Sequence, residues 1–134
     1  MTARLLGKLL PGLKGARRGT SANAGEEIAV KFLKKKGFAV LERNYRGRYG
    51  EIDIICSDGG IICFVEVKSR STFGHGLPQE FVDRRKRRKI NLTALQYIKE
   101  RRTGSRPMRF DVVAVDLTDK TATLIEGAFE AELG

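Results

Sequence analysis

Apolar positions in this chain recur with two different periods. Ile28, Ala29, Phe32 and Leu33 fall on one face of a 3.6-residue repeat, and Gly37 follows where helices commonly end. The spacing predicts a helix over about 26–36. Phe38 to Asn44 reads as a short strand. Gly50–Ser57 and Ile61–Ser69 are rich in β-branched residues, with Asp58-Gly59-Gly60 between them, the composition of a hairpin turn. Residues 71–78, with two glycines and a proline, predict a loop. A longer helix is expected over about 79–102, broken by Thr103-Gly104-Ser105. Arg109–Asp116 and a small final strand, Thr121–Glu126, complete the set. The order α-β-β-β-α-β packs naturally as an α/β sandwich with a mixed central sheet. Residues 1–24 are rich in Gly, Ala, Arg and Ser with no sustained period. They read as a basic flexible arm ahead of one domain over 25–134.

Composition bounds this picture without changing it. With 134 residues and 41% hydrophobic content, the chain has material for one modest core. No apolar run approaches the roughly 18 residues that a membrane span requires. Gly7 and Pro11 interrupt the apolar part of residues 1–13, so no secretory signal is read and the expected compartment is the cytoplasm. Cys56 and Cys63 have neither zinc-site spacing nor the number for a disulfide framework. They are expected to be free core thiols.

Charge adds more. The net charge is +10, and it is unevenly placed. Residues 84–109 hold eleven Lys or Arg against one acid, and residues 1–24 hold five bases and no acid. Residues 110–134 hold one base against six acids. Clustered cations point to a polyanion, most commonly nucleic acid. The plainer alternative is a solvated basic face that only keeps the protein soluble.

The hairpin carries the candidate chemistry. Side chains alternate faces along a strand, so Glu66 and Lys68 share one. If Gly59-Gly60 form the turn, Asp53 lies directly opposite Glu66, and Cys56 opposite Cys63. If Asp58-Gly59 form it, Asp53 moves one pair along the same face. Either register brings Asp53, Glu66 and Lys68 together, with Ile52, Ile54, Val65 and Val67 on the opposite, core side. Two carboxylates at cross-strand distance repel unless something compensates, and a carboxylate in the run Ile-Ile-Cys-Phe-Val-Glu-Val needs a partner. A divalent cation meets both needs, and two carboxylates plus waters make an ordinary Mg²⁺ site. Lys68 beside it could orient a water or stabilise charge on a phosphate. Alternatively, Asp53 and Lys68 simply pair on a half-exposed strand.

These residues carry a resemblance. Gly50-Glu51-Ile52-Asp53-Ile54 followed by Phe64-Val65-Glu66-Val67-Lys68 resembles the D…(D/E)XK pattern of the restriction-endonuclease-like nucleases. With Gly25-Glu26, Gly37, Asn44, Gly76, Lys86 and Arg109-Phe110-Asp111-Val112-Val113, the stretch from about Gly25 to Asp116 resembles the YraN-like family of small bacterial proteins. In style it is similar to the archaeal Holliday-junction resolvases, which share an early helical Glu and an Asp…Glu-X-Lys core. The resemblance implies a restriction-endonuclease-like fold and phosphodiester hydrolysis dependent on Mg²⁺ (or Mn²⁺). It also implies that Glu26 joins Asp53 and Glu66 as a metal ligand. Glu26 lies three and seven positions before Ala29 and Leu33, on the buried flank, whereas Glu27 pairs in surface fashion with Lys31. A helix N-terminal carboxylate favoured by the dipole would look the same.

Around this core, Arg84, Arg85, Lys86, Arg87, Arg88 and Lys89 cover all sides of a helix, so some must face solvent and could grip phosphates. Lys86 lies four from both Val82 and Ile90, on the apolar stripe. It can reach back toward the carboxylates or a phosphate, or only lay its stem over apolar surface. Gln79-Glu80 is expected to open the helix. Arg46, Arg48 and Tyr49 precede the Asp53 strand and could touch a backbone or stack on a base. His75, the only histidine, is a minor candidate for a general acid. The expectation is therefore a Mg²⁺-dependent nuclease acting on DNA, branched or structured forms included, with Asp53, Glu66, Glu26 and Lys68 catalytic. A homodimer would supply two sites for cutting both strands. The competing expectations are a nucleic-acid-binding module without turnover and a structural protein that binds an acidic protein partner.

Overall fold

The computed structural model describes residues 20–71 and 82–130, the first four as backbone only. Helix α1 (Thr20–Lys35) leads into three strands, β1 (Ala39–Arg46), β2 (Glu51–Asp58) and β3 (Ile61–Arg70). Helix α2 (Arg84–Arg101) then crosses over to β4 (Met108–Asp116), and β5 (Thr121–Phe129) ends the described chain. The five strands form one sheet in the order β1-β2-β3-β4-β5. Only β3 and β4 are parallel, because only they are joined by a helical crossover. The result is the α/β sandwich with a mixed sheet that the sequence predicts. Among the described residues, no helix is long and apolar enough to cross a membrane.

Two separate cores cover the two faces of the sheet. Ala29, Val30 and Leu33 of α1 pack on Ile54, Cys56, Cys63, Val65, Val113 and Val115. Ile90, Ala94 and Tyr97 of α2 pack on Ile52, Ile55, Ile62, Phe64, Phe110 and Val112. Strands buried on both faces explain the nearly continuous apolar runs in β3 and β4. Asp111 is fully buried between them, and it accepts from Arg109 Nε at 2.9 Å and from the backbone N–H of Gly127 at 3.0 Å. That bond ties β5 to the sheet, so the Arg109-Phe110-Asp111 motif has a structural use.

Several boundaries differ from expectation. Helix α1 begins at Thr20, inside the stretch read as an arm. It ends in a Schellman motif, with Gly37 at φ 97° and the Phe38 N–H donating to the Leu33 carbonyl at 3.0 Å. Helix α2 begins at Arg84, not near 79: Asp83 is extended and caps it by accepting from the Lys86 N–H at 2.9 Å. Gln79-Glu80 therefore do not open the helix. They lie outside the described residues, as do residues 1–19, most of the 71–78 loop and His75 within it. Strand β5 is as long as β4, not a small strand.

The hairpin adopts the register with Gly59-Gly60 in the turn: Ile54 faces Val65, and Cys56 faces Cys63. Both cysteines are buried free thiols, as expected. Ile52, however, belongs to the α2 core, whereas Ile54 belongs to the α1 core. Two residues of equal parity on one strand thus face opposite ways. The cause lies in the neighbouring strand. Asn44 adopts φ 52°, a left-handed conformation that Asn tolerates better than most residues. Arg43 pairs with Ile54 and Tyr45 with Ile52, so both strands flip together at Asn44 and Asp53.

Helix α1 also approaches β3 without clearance. A Cβ at Gly25 would stand 2.9 Å from the Ser69 Cβ and closer still to its Oγ. Gly25→Ala should therefore lower the thermal midpoint by several degrees, corresponding to about 1–3 kcal/mol of overpacking. Ser69→Gly in the same chain should recover part of the loss. A fully stable Gly25→Ala variant in a melting experiment would contradict this packing.

Candidate functional site

The flip at Asn44 and Asp53 opens the sheet. Ladder pairing between β2 and β3 runs from Asp58 and Ile61 only to Ile54 and Val65. Beyond it, β3 continues to Arg70 paired with β4 alone. Asp53 spans the split, its Oδ2 accepting from the Val67 backbone N–H at 2.8 Å. Glu66 stands at the same level and is buried. Its parity with Phe64 directs it to the α2 side of the sheet. Burial, then the charge of Glu66, push the Asp53 pKa up to about 7; the Val67 hydrogen bond works against this, and Glu26 and Glu51 add to it.

Lys86 supplies the nearest positive charge. Its Nζ lies 2.5 Å from Glu66 Oε2. Burial disfavours the ammonium, but the hydrogen bond and charge of Glu66, with Asp53 and Asp83, outweigh it and hold Lys86 above the usual lysine range. Of the two expectations for Lys86, the structure shows the one in which it reaches the carboxylates. Lys68 is half-buried two residues beyond Glu66, on the same face, and makes no ion pair among the described residues. It does not pair with Asp53.

Glu26 is buried in the second turn of α1, beyond the helix N-terminus that the sequence suggested for it, and is held differently. Asn44 Nδ2 donates to its two oxygens at 3.2 and 3.4 Å, and Arg43 lies 3.8 Å away. Its charge is felt by Asp53. Even so, among the described residues no three His, Cys, Asp or Glu side chains gather as a ready chelating group. Asp53 and Glu66 are the pair that the structure brings together. Their chemistry fits a hard divalent cation: two oxygen donors, a local excess of negative charge, and Mg²⁺ that ordinarily takes one or two carboxylates with the rest from water and phosphate.

The cationic surface adjoins this pair. Arg84, Arg85, Arg88 and Lys89 are exposed along the first turns of α2, and Arg87 is half-buried. The first turn of α2 contains no acid, so cations crowd the end of a helix that its own dipole makes positive. The Asp83 carboxylate at the N-cap is the one anion that offsets this crowding among the described residues of that turn. Arg46 ends β1 and Arg48 lies in the β1–β2 turn, which packs on α2: the Arg48 N–H donates to Gln96 Oε1 at 2.8 Å.

Three residues escaped sequence reasoning. Asn44 makes the flip and holds Glu26, and an Asn inside a strand was the available signal. Gln96 anchors the β1–β2 turn, with no signal in a helix of mixed polarity. Glu51 has a buried Oε2 without a hydrogen-bond partner among the described residues, and its charge adds to that on Asp53. It was read only as part of a motif.

Asp53 gives a pH prediction. An acid whose pKa is higher in the fold than in the unfolded chain binds its proton more tightly when folded. Its contribution is complete below the ordinary value of 3.8, erodes as pH rises toward about 7, and is flat above. Asp53→Asn removes the charge and keeps an oxygen for Val67. In metal-free buffer it should melt several degrees above the wild type at pH 8, with the gap closing toward pH 4. Equal midpoints at pH 8 would show that the pair is not strained.

Comparison with known proteins completes the picture. Residues 25–115 match the model of the Uncharacterised protein family UPF0102. A UPF0102 protein of Desulfosudis oleivorans is 45% identical over 109 residues, covering 81% of this chain and 89% of that protein. One from Syntrophus aciditrophicus is 46% identical over 112 residues, covering 82% and 88%. One from Clostridioides difficile is 47% identical over 105 residues, covering 78% and 92%. The matched span runs from Gly25, packed against Ser69, through the Asp53–Glu66 split to Val115, and over it the chain belongs to the UPF0102, YraN-like family.

Proposed function

We propose that this protein is a nuclease of the restriction-endonuclease-like superfamily that hydrolyses phosphodiester bonds in DNA, branched or structured forms included, with Mg²⁺ or Mn²⁺. The observation that carries the reading is the meeting of Asp53 and Glu66 where β2 and β3 part, with Asp53 raised to about 7 by burial and by its neighbour. Perturbed carboxylates of this kind concentrate at functional sites. Asp53 and Glu66 would hold the cation, and Glu26 assists from its hydrogen bonds with Asn44. The cation, when bound, lowers the pKa of water and offsets phosphate charge.

The chain's own residues then have distinct tasks. Lys68, unpaired on the same face, orients the attacking water or stabilises the five-coordinate phosphorus that forms as the water oxygen adds. The bond from phosphorus to one sugar oxygen breaks, and that oxygen takes up a proton. Lys86, placed against Glu66, lies where it can contact the phosphate. Arg84, Arg85, Arg87, Arg88 and Lys89, with Arg46 and Arg48, hold the neighbouring phosphates.

A second reading, a nucleic-acid-binding module without turnover, is favoured by one feature: the Lys86–Glu66 ion pair occupies a carboxylate oxygen that a metal would use. In that case the carboxylates serve as counter-charges for a crowded cationic helix.

Cleavage separates these readings, and a binding assay locates the DNA surface common to both. Incubating the full chain with Mg²⁺ and a panel of duplex, branched and single-stranded DNA should give cleavage. Lys68→Ala should fold, bind DNA, and cleave ~10²-fold more slowly, as for loss of one preorganised electrostatic group. Undiminished cleavage by Lys68→Ala would overturn its role. Replacing Arg84, Arg85, Arg87 and Arg88 by Ala should weaken DNA binding and flatten the salt dependence by about one log–log unit per lost phosphate contact. Arg84, Arg85 and Arg88 are exposed and contribute little to folding, so any drop in the melting midpoint should come from the half-buried Arg87. Unchanged affinity would place the DNA surface elsewhere.

A further inference from the structure

The β1–β2 turn carries an exposed aromatic ring with no task in the fold. Tyr49 is 47% exposed and makes no ring contact among the described residues. The other two tyrosines, Tyr45 and Tyr97, are buried and meet edge to face with centroids 5.2 Å apart. The backbone under Tyr49 is tightly held. The Gly47 N–H donates to the Gly50 carbonyl at 2.7 Å, closing the turn. The next N–H, of Arg48, donates to Gln96 on α2 at 2.8 Å. A Cβ at Gly47 would meet Gln96 Oε1 at 2.7 Å and Thr93 Cγ2 at 3.2 Å, so the turn lies flush on the helix. The Gly50 side of the turn is against Thr93 and the Cβ of Lys89.

This geometry fixes where the ring stands relative to the carboxylates. Lys89 follows Lys86 by three residues, so the two share a flank of α2 about one turn, ~5 Å, apart. Lys86 contacts Glu66, and Glu51–Asp53 leave the turn directly into the split. The ring is flanked in sequence by exposed Arg46 and Arg48. An exposed aromatic between cations, carried on an anchored turn, has the parts of a base-stacking platform. Bases inside a duplex are stacked on both faces, whereas an unpaired base can turn out of the helix and offer a free face to the ring.

We propose that Tyr49 stacks an unpaired nucleobase, so that the substrate is DNA in which a single-stranded segment adjoins a duplex. This inference rests on the nuclease reading and narrows its substrate. Duplex phosphates lie along the α2 cations, the unpaired base lies on Tyr49, and the phosphodiester between them is carried to Asp53 and Glu66. The turn's attachment to Gln96 holds the backbone that carries the ring before DNA arrives, which reduces the ordering cost of binding.

The test is fluorescence anisotropy in EDTA with two labelled probes, a blunt duplex and the same duplex with a short single-stranded extension. The wild type should bind the extended probe more tightly, by roughly 10-fold for one stacked base. Tyr49→Ala should lose that preference, and Tyr49→Phe should keep it. The chain has no tryptophan, so Tyr49→Trp places a single indole at the platform. Its emission should be quenched by the extended probe and not by the blunt one. Equal binding of both probes by the wild type, a preference retained in Tyr49→Ala, or an unquenched indole would each overturn the platform, while cleavage of DNA with Mg²⁺ would leave the nuclease reading standing. Binding of neither probe by the wild type would overturn both.

Discussion

Asp53 and Glu66 repel each other in a notch that water reaches poorly, and much of the surrounding structure can be understood from that repulsion. A carboxylate raised to about 7 opposes folding at neutral pH, so other interactions must hold it in place. The Val67 N–H binds one oxygen of Asp53, and Lys86 neutralises Glu66. Neither fills the remaining oxygen positions. Fold stability is thus given up where positive charge from outside would be most strongly bound.

The sheet imposes this meeting through its backbone. In a regular ladder, β2 and β3 would stay paired past Ile54 and Val65. The left-handed Asn44 flips β1 and β2 together, sends Ile52 to the α2 core, and leaves Asp53 to bridge the gap with its side chain. Two apolar cores, one on each face, hold the flip in place. The close seating of Gly25 on Ser69 brings Glu26 to Asn44, so the third carboxylate is linked to the residue that makes the split. On the other face, α2 brings Lys86 to Glu66, with Asp83 capping the helix at the Lys86 N–H.

Much of this was legible in the sequence, for physical reasons. The hairpin turn and the period-2 alternation brought Asp53 and Glu66 together in either of two registers, and the structure adopts the one in which Cys56 faces Cys63. Lys86 stood out as a cation on an apolar stripe, and it does turn inward. The flip was not legible, since alternation assumes a regular strand and a single left-handed residue breaks it. That assumption put Ile52 on the wrong face. The early start assigned to α2 came from following apolar periodicity past Asp83, a residue with the chemistry of an N-cap. Tyr49 was visible as a loop residue, but the seating of its turn, through Gly47 and Arg48, on Gln96 and Thr93 is a tertiary fact that no local pattern encodes.

The proposed cation site at Asp53 and Glu66 is what the remaining assignments rest on. Titration calorimetry with Mn²⁺ on the full chain, with and without DNA, measures that most directly. Saturable binding by the wild type is expected, strengthened by DNA and lost in Asp53→Ala. No binding at millimolar Mn²⁺ even with DNA present, or binding that persists in Asp53→Ala, would contradict it.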